Sequence, residues 1–271
     1  MAIFSEVRQW SDFLLVCQFS PTTVRSYRRA VVTFFADTLL APDEVTEADV
    51  VNYLARDPLT GERRSPKGPA AGMMLRALRS FFGLRARRTG DPNPVESLAP
   101  KRPKYGPAPS LSEDDLIRLV IAAAWRSPRR GWTMLLLYAT GIRLGSACGI
   151  RPEDVRDGLL RIRVAKGDRP YGIDLGPIGR AAAQELLKTA TPTSLIGAGE
   201  GRVWEWIHQA SLDSGVPAHP HLFRHTWATR HIELGTDVRT LQELGNWADL
   251  SQIPRYTWVR DDRKRAAQQA F

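Results

Sequence analysis

Cysteine is nearly absent from this chain: Cys17 and Cys148 are the only two among 271 residues. Two thiols cannot build a disulfide framework, and their separation does not match metal-ligand spacing, so both are read as small buried residues. Long apolar runs are missing too, none approaching the length of a membrane span. Residues Met1 to Arg8 contain no basic stretch leading into an apolar core, which predicts a cytoplasmic protein without a secretory signal. No P-loop occurs, and Gly197, Gly199 and Gly201 miss the dinucleotide fingerprint and are read as a loop. Carboxylates do not cluster at metal-binding spacing, Asp114-Asp115 reading as a helix start and Asp261-Asp262 as surface charge. Internal repeats and low-complexity segments are lacking. These absences exclude a disulfide scaffold, a nucleotide-driven machine and a membrane protein, and the expectation is a chain with no metal and no cofactor.

What is present is positive charge on an otherwise ordinary globular composition: 38 Lys and Arg against 29 Asp and Glu, a net charge of +9. Such an excess calls for a polyanionic partner. The arginines are spread over several predicted helices and no basic segment carries an aromatic face, so nucleic acid fits better than a membrane surface. The length suggests two domains.

The predicted fold class is mainly α with a small antiparallel β-sheet. Ser20-Pro21 starts a helix in which Val24, Tyr27, Val31, Phe34 and Phe35 form the apolar stripe and Arg25, Arg28 and Arg29 lie off it. Thr46-Glu47-Ala48-Asp49 starts a second helix in the manner of a capping box. A third, over about residues 70 to 85, carries Met74, Leu75, Leu78, Phe81 and Phe82, with Arg76, Arg79, Arg85, Arg87 and Arg88 along it and its exit. Residues 1–90 are thus a helical bundle, and 91–107 a proline-rich linker in which Lys101, Arg102 and Lys104 can follow a DNA backbone. A second domain spans 108–271. Ser112 caps its first helix, Trp132 to Tyr138 lie in an apolar helix stopped by Gly141, and Leu159–Val164 and Tyr171–Leu175 alternate as a hairpin around Gly167-Asp168.

Four segments of the second domain carry the chemistry. His221-Leu222-Phe223-Arg224-His225 places an arginine and a histidine three residues apart on one helical face, and the later Leu244-Gly245-Asn246-Trp247 precedes a lone Tyr256. Upstream stand Thr140-Gly141-Ile142-Arg143-Leu144-Gly145-Ser146 and Lys166-Gly167-Asp168-Arg169. In order and spacing these resemble the arginine box, hairpin lysine, His-x-x-Arg-His box and tyrosine box of the tyrosine recombinases, the phage integrase family. The resemblance implies an N-terminal core-binding domain and a C-terminal catalytic domain. It also implies a homotetramer acting on two duplexes at double-stranded DNA attachment sites in a bacterial host cell, without membrane or metal.

Attack on a phosphodiester spreads charge over the non-bridging oxygens, which calls for fixed planar cations. Arg143 and Arg224 are the expected clamp. Tyr256 is the expected nucleophile, forming a 3′-phosphotyrosyl link. Its phenol, with a pKa of about 10, needs a base, for which His221 is the candidate. The resemblance implies that Lys166, on a hairpin tip, is the general acid, and His225 is read as a buttress. His221 and His225 lack the companion ligands of a zinc site, and His219 is read as structural. Phosphate contact is expected from Arg25, Arg28, Arg29, Arg76, Arg79, Arg85, Lys101, Arg102 and Lys104.

The chain departs from the family pattern twice. Asn246 stands where the pattern has histidine, but Trp247 lies nine residues before Tyr256, the separation at which the family's histidine or tryptophan sits, so Trp247 takes the role. Ser146 replaces an acidic residue that supports the arginines; serine can support them by accepting a hydrogen bond but cannot offset their charge, a task left to another group. Pro254 suggests that Tyr256 sits near a helix start. Residues 260–271 are expected to dock on a neighbouring protomer. The early onset of the first helices leaves no room for an arm-site-binding domain and suggests a compact integrase. The competing readings are an inactive DNA-binding regulator and a type IB topoisomerase, with a metal-dependent nuclease more distant.

Overall fold

The computed structural model describes residues 2–55, 62, 69–98, 108–163, 170–247 and 268–269. The chain divides into two compact units, Met1–Lys104 and Tyr105–Phe271.

The first unit contains helices α1 (Ala2–Val16), α2 (Pro21–Thr38), α3 (Glu47–Ala55) and α4 (Pro69–Thr89). Their starts follow local rules. Ser20 Oγ accepts the Thr23 amide at 3.0 Å with Pro21 in the first turn, satisfying an amide that the helix cannot. Thr46 and Asp49 cap each other, Thr46 N–H donating to the Asp49 carboxylate at 2.9 Å and Asp49 N–H to Thr46 Oγ1 at 3.3 Å. The Thr46 bonds hold the Asp49 carboxyl below its usual range. α1, with Val7, Trp10 and Leu14 buried, precedes the first helix read from the sequence, and α4 runs beyond the predicted end. The core is aromatic: Trp10 and Phe35 each meet Phe81 edge-on at 5.6 Å between centroids, contacts worth about 0.5–1.5 kcal/mol each beyond their burial. Cys17 corrects an expectation. It is exposed, because α1 ends at Val16 and the chain turns away through Gln18, at φ 62°.

The second unit contains α5 (Glu113–Arg126), α6 (Pro128–Thr140), α7 (Leu144–Cys148), a 3₁₀ turn (Pro152–Asp154), β1 (Val155–Arg156), β2 (Leu159–Ile162), β3 (Tyr171–Asp174), α8 (Gly176–Leu187), α9 (Glu200–Ser214), α10 (Pro220–Glu233) and α11 (Val238–Leu244). Ser112 caps α5 through the Asp115 amide at 3.1 Å. The strands form one antiparallel sheet in the order β1-β2-β3, with Leu160 opposite Ile173 and Ile162 opposite Tyr171. Leu160, Ile162 and Ile173 face the core, as their alternation requires. Gly201 departs from the loop expectation by lying inside α9, with Gly199 at its N-cap. None of the described helices is long and apolar enough to cross a membrane.

α10 is unlike the other helices, since every residue from Leu222 to Ala228 is buried. Arg224, His225 and Thr226 are therefore enclosed together with Leu222 and Phe223. Polar groups are tolerated in such surroundings only when their donors and acceptors are met, and the way they are met builds the site.

Candidate active site

Arg224 is 2% exposed. Its Nη1 donates to the Gly141 carbonyl at 2.6 Å and its Nη2 to the Gly245 carbonyl at 2.5 Å. These two glycines are the C-caps of α6 and α11. A helix C-terminus presents unbonded carbonyls and the negative end of the macrodipole, so one guanidinium satisfies two such ends at once. The Trp247 ring covers it, with the guanidinium carbon 4.4 Å from the ring centroid, a cation–π contact worth up to about 2 kcal/mol when desolvated.

Arg143 follows Gly141 by two residues and is the N-cap of α7, with an extended backbone and a half-buried side chain that makes no cap bond. Its position depends on Gly141. That residue has φ +59°, and a Cβ there would lie 2.3 Å from Cδ2 of Trp227. Gly141→Ala is expected to destabilise the second unit by about 1–2 kcal/mol through the left-handed backbone and about 1–3 kcal/mol more through displacement of the Trp227 ring. Denaturant unfolding of the full chain checks this.

The end of α11 explains the unusual Asn246-Trp247 pair. Asn246 N–H donates to the Glu243 carbonyl and Trp247 N–H to the Gln242 carbonyl, both at 3.1 Å. Asn246 has φ 46°. This is the Schellman arrangement, in which the residue after the C-cap is left-handed and is commonly glycine or asparagine. The reversal folds Trp247 back against its own helix end, where a Cβ on Gly245 would lie 2.2 Å from the ring. Gln242 Nε2 fastens it by donating to the Trp247 carbonyl at 3.1 Å. Asn246 thus has a backbone task that histidine performs less well, and that task delivers Trp247 to Arg224. Its Nδ2, however, is buried without a hydrogen-bond partner among the described residues, a state that costs about 1–3 kcal/mol.

In the same helix, His221 is exposed in the first turn and His225 is buried one turn on, their rings edge-to-face at 4.5 Å. Thr226 Oγ1 accepts the Leu111 amide and donates to the Leu222 carbonyl, both at 2.9 Å, fixing the start of the unit to α10. His219 is the N-cap residue of α10 but makes no side-chain cap bond. Ser146 lies half-buried in α7. The Glu200 carboxylate is beside that helix, its Oε1 3.1 Å from where a Cβ on Gly145 would be. Burial and the Glu200 charge push the Cys148 thiol up to about 11, which keeps it protonated and inert near neutrality. Cys148 itself is half-buried rather than fully enclosed.

The DNA-facing candidates divide. Arg25, Arg28 and Arg29 on α2 and Arg76 on α4 are exposed. Arg79 donates to the Leu98 carbonyl at 3.0 Å, and Arg85 pairs with Glu6 at 3.4 Å and Asp91 at 2.5 Å, so both also hold the first unit together. Lys101, Arg102, Lys104, Lys166, Pro254, Tyr256 and nearly all of the 260–271 tail lie outside the described residues. Among the described residues no three His, Cys, Asp or Glu side chains gather as a metal site would require. Sequence reasoning missed the acceptor roles of Gly141 and Gly245 and the tie made by Thr226. A glycine closing each of two helices was the available signal.

The architecture has known counterparts. Residues 110–263 match the model of the phage integrase family. The chain belongs to that family. It is a tyrosine recombinase, an enzyme of site-specific DNA recombination. The tyrosine recombinase XerD of Listeria innocua is 28% identical over 281 residues, covering 93% of this chain and 93% of that protein. The crystal structure of a lambda integrase (75–356) dimer bound to a core site superposes with a TM-score of 0.77 at 17% identity, over 93% of this chain and 94% of that one. A lambda integrase tetramer bound to a Holliday junction gives 0.77 at 18% identity, over 96% and 79%. Likeness at such identity establishes the shared fold: mostly helical, with a small antiparallel sheet.

Proposed function

We propose that this recombinase cleaves and rejoins DNA one strand at a time through Tyr256, with Arg143 and Arg224 clamping the scissile phosphate and Trp247 completing the clamp. The observation that carries the reading is the fixation of Arg224 before any substrate arrives, held by two helix ends and a tryptophan ring. A preorganised donor requires no reorganisation during the reaction, and each such donor contributes on the order of 10²–10³ in rate.

The Tyr256 oxygen attacks phosphorus as its phenolic proton passes to His221. The bond from phosphorus to the 5′-oxygen breaks, and Lys166 protonates the departing 5′-oxygen. A 5′-hydroxyl from the second duplex then attacks the phosphotyrosyl link, giving its proton to Lys166, and the bond from phosphorus to the Tyr256 oxygen breaks as His221 returns the phenolic proton. The covalent link conserves the bond energy, so neither ATP nor a metal enters. His225 and Ser146 support the clamp. Residues 1–90 grip the duplex through Arg25, Arg28, Arg29, Arg76, Arg79 and Arg85, the 91–107 linker follows the backbone through Lys101, Arg102 and Lys104, and residues 108–271 carry the chemistry. Double-stranded DNA attachment sites as substrate and a homotetramer on two duplexes as the working assembly are supported by the lambda integrase complexes with core-site DNA and a Holliday junction.

The test is strand exchange in EDTA between two labelled duplexes carrying the DNA that borders the coding region. Recombinant strands are the expected product. Supercoil relaxation without exchange would indicate topoisomerase-type chemistry instead, and binding without any adduct would indicate an inactive DNA-binding protein.

A further inference from the structure

The geometry points to Asn246 as a further catalytic residue, its side-chain amide donating to the scissile phosphodiester beside Arg224. The inference rests on the function proposed above.

Three observations converge on this residue. The first is its place: Asn246 lies between Gly245, whose carbonyl is 2.5 Å from Arg224 Nη2, and Trp247, whose ring covers the same guanidinium. Both neighbours in the chain are in contact with the cation assigned to the phosphate. The second is rigidity. A left-handed φ of 46° and the two reverse hydrogen bonds of the helix end fix the backbone from which the side chain projects.

The third is the unpartnered donor. Asn246 Nδ2 is one of two buried side-chain polar atoms among the described residues that have no hydrogen-bond partner. The other, Arg85 Nε, has the Glu6 carboxylate 3.4 Å away, so its charge is compensated. A sheltered donor without an acceptor is a standing cost in the free protein, and it is removed when a ligand supplies the acceptor. A phosphodiester supplies anionic oxygens, the acceptors to which an amide bonds most strongly. Asparagine at this position therefore does two jobs: its backbone turns the chain so that Trp247 covers Arg224, and its amide adds a neutral donor to the clamp. Only the first requires a left-handed residue. Only the second requires the amide.

Asn246→Gly separates the two, because glycine enters the left-handed region at no steric cost and keeps the helix end. The experiment follows single-turnover cleavage of a nicked duplex carrying the DNA that borders the coding region, in EDTA. It compares the intact chain, Asn246→Gly and Tyr256→Phe, and measures duplex binding and thermal midpoint in parallel. The expected result is a drop of about 30-fold or more in the rate of adduct formation for Asn246→Gly, with duplex affinity unchanged and the midpoint no lower than that of the intact chain, because the unpartnered amide and its cost are removed together. On a substrate with a methylphosphonate at the scissile position, which lacks one anionic oxygen, the defect should shrink to a few-fold. An Asn246→Gly rate within threefold of the intact chain overturns the inference while leaving the proposed function in place. Failure of the intact chain to form any adduct overturns the proposed function and this inference with it.

Discussion

Replacing Tyr256 with phenylalanine is expected to abolish the covalent protein–DNA adduct on a nicked duplex and to leave binding to that duplex unchanged. The substitution removes a single oxygen, the atom that would bond phosphorus. Every other proposed contact to the DNA comes from donors that the substitution leaves in the sequence. Loss of a covalent nucleophile lowers rates on the order of 10⁴-fold or more, which on a denaturing gel reads as no adduct at all. An adduct that persists in Tyr256→Phe would assign the nucleophile elsewhere. The result bears on the departures from the family pattern, because an intact chain that forms the adduct does so with Ser146 and Asn246 in place.

The second large effect is expected at Arg224, where catalysis and stability are carried by one side chain. Lysine keeps the charge but offers a compact ammonium in place of a planar fork, and it cannot reach the Gly141 and Gly245 carbonyls together as the guanidinium does. Arg224→Lys should therefore lower the rate of adduct formation about 10²–10³-fold. It should also destabilise the second unit by about 1–3 kcal/mol for each carbonyl left without its donor. In a unit of this size the thermal midpoint falls by roughly 2–4 °C per kcal/mol. The joint effect is what distinguishes the proposal: a variant that melts like the intact chain while losing activity would make Arg224 a substrate contact alone, not the tie between two helix ends.

Much of the fold was legible because its signals are local. The caps at Ser20, Thr46-Asp49 and Ser112 and the stop at Gly141 are written within three or four residues, and the structure realises each with the hydrogen bonds expected. The β2–β3 pairing showed in alternation, whereas β1, only two residues long, is too short to display a period. Charge was legible as charge but not as partnership. Arg79 and Arg85 looked like their exposed neighbours, yet one meets a carbonyl 19 positions away and the other a carboxylate on α1. Cys17 was misread because burial was inferred from residue type rather than from where the helix ends.

The chemistry proposed for the site came from the sequence alone, through the resemblance that its arginine, histidine, tryptophan and tyrosine segments carry. The spacing to Tyr256 selected Trp247 over Asn246. Only the tertiary structure explains why both are there. The left-handed turn at Asn246 sets Trp247 over a guanidinium that reaches the end of a helix 83 positions away. Helix caps and stripes are decided by neighbours in the chain, and a sequence displays them directly. A buried cation is decided by which segments the packed core brings to it, and the acceptors that make its burial tolerable are backbone carbonyls, which every residue carries and no sequence pattern marks.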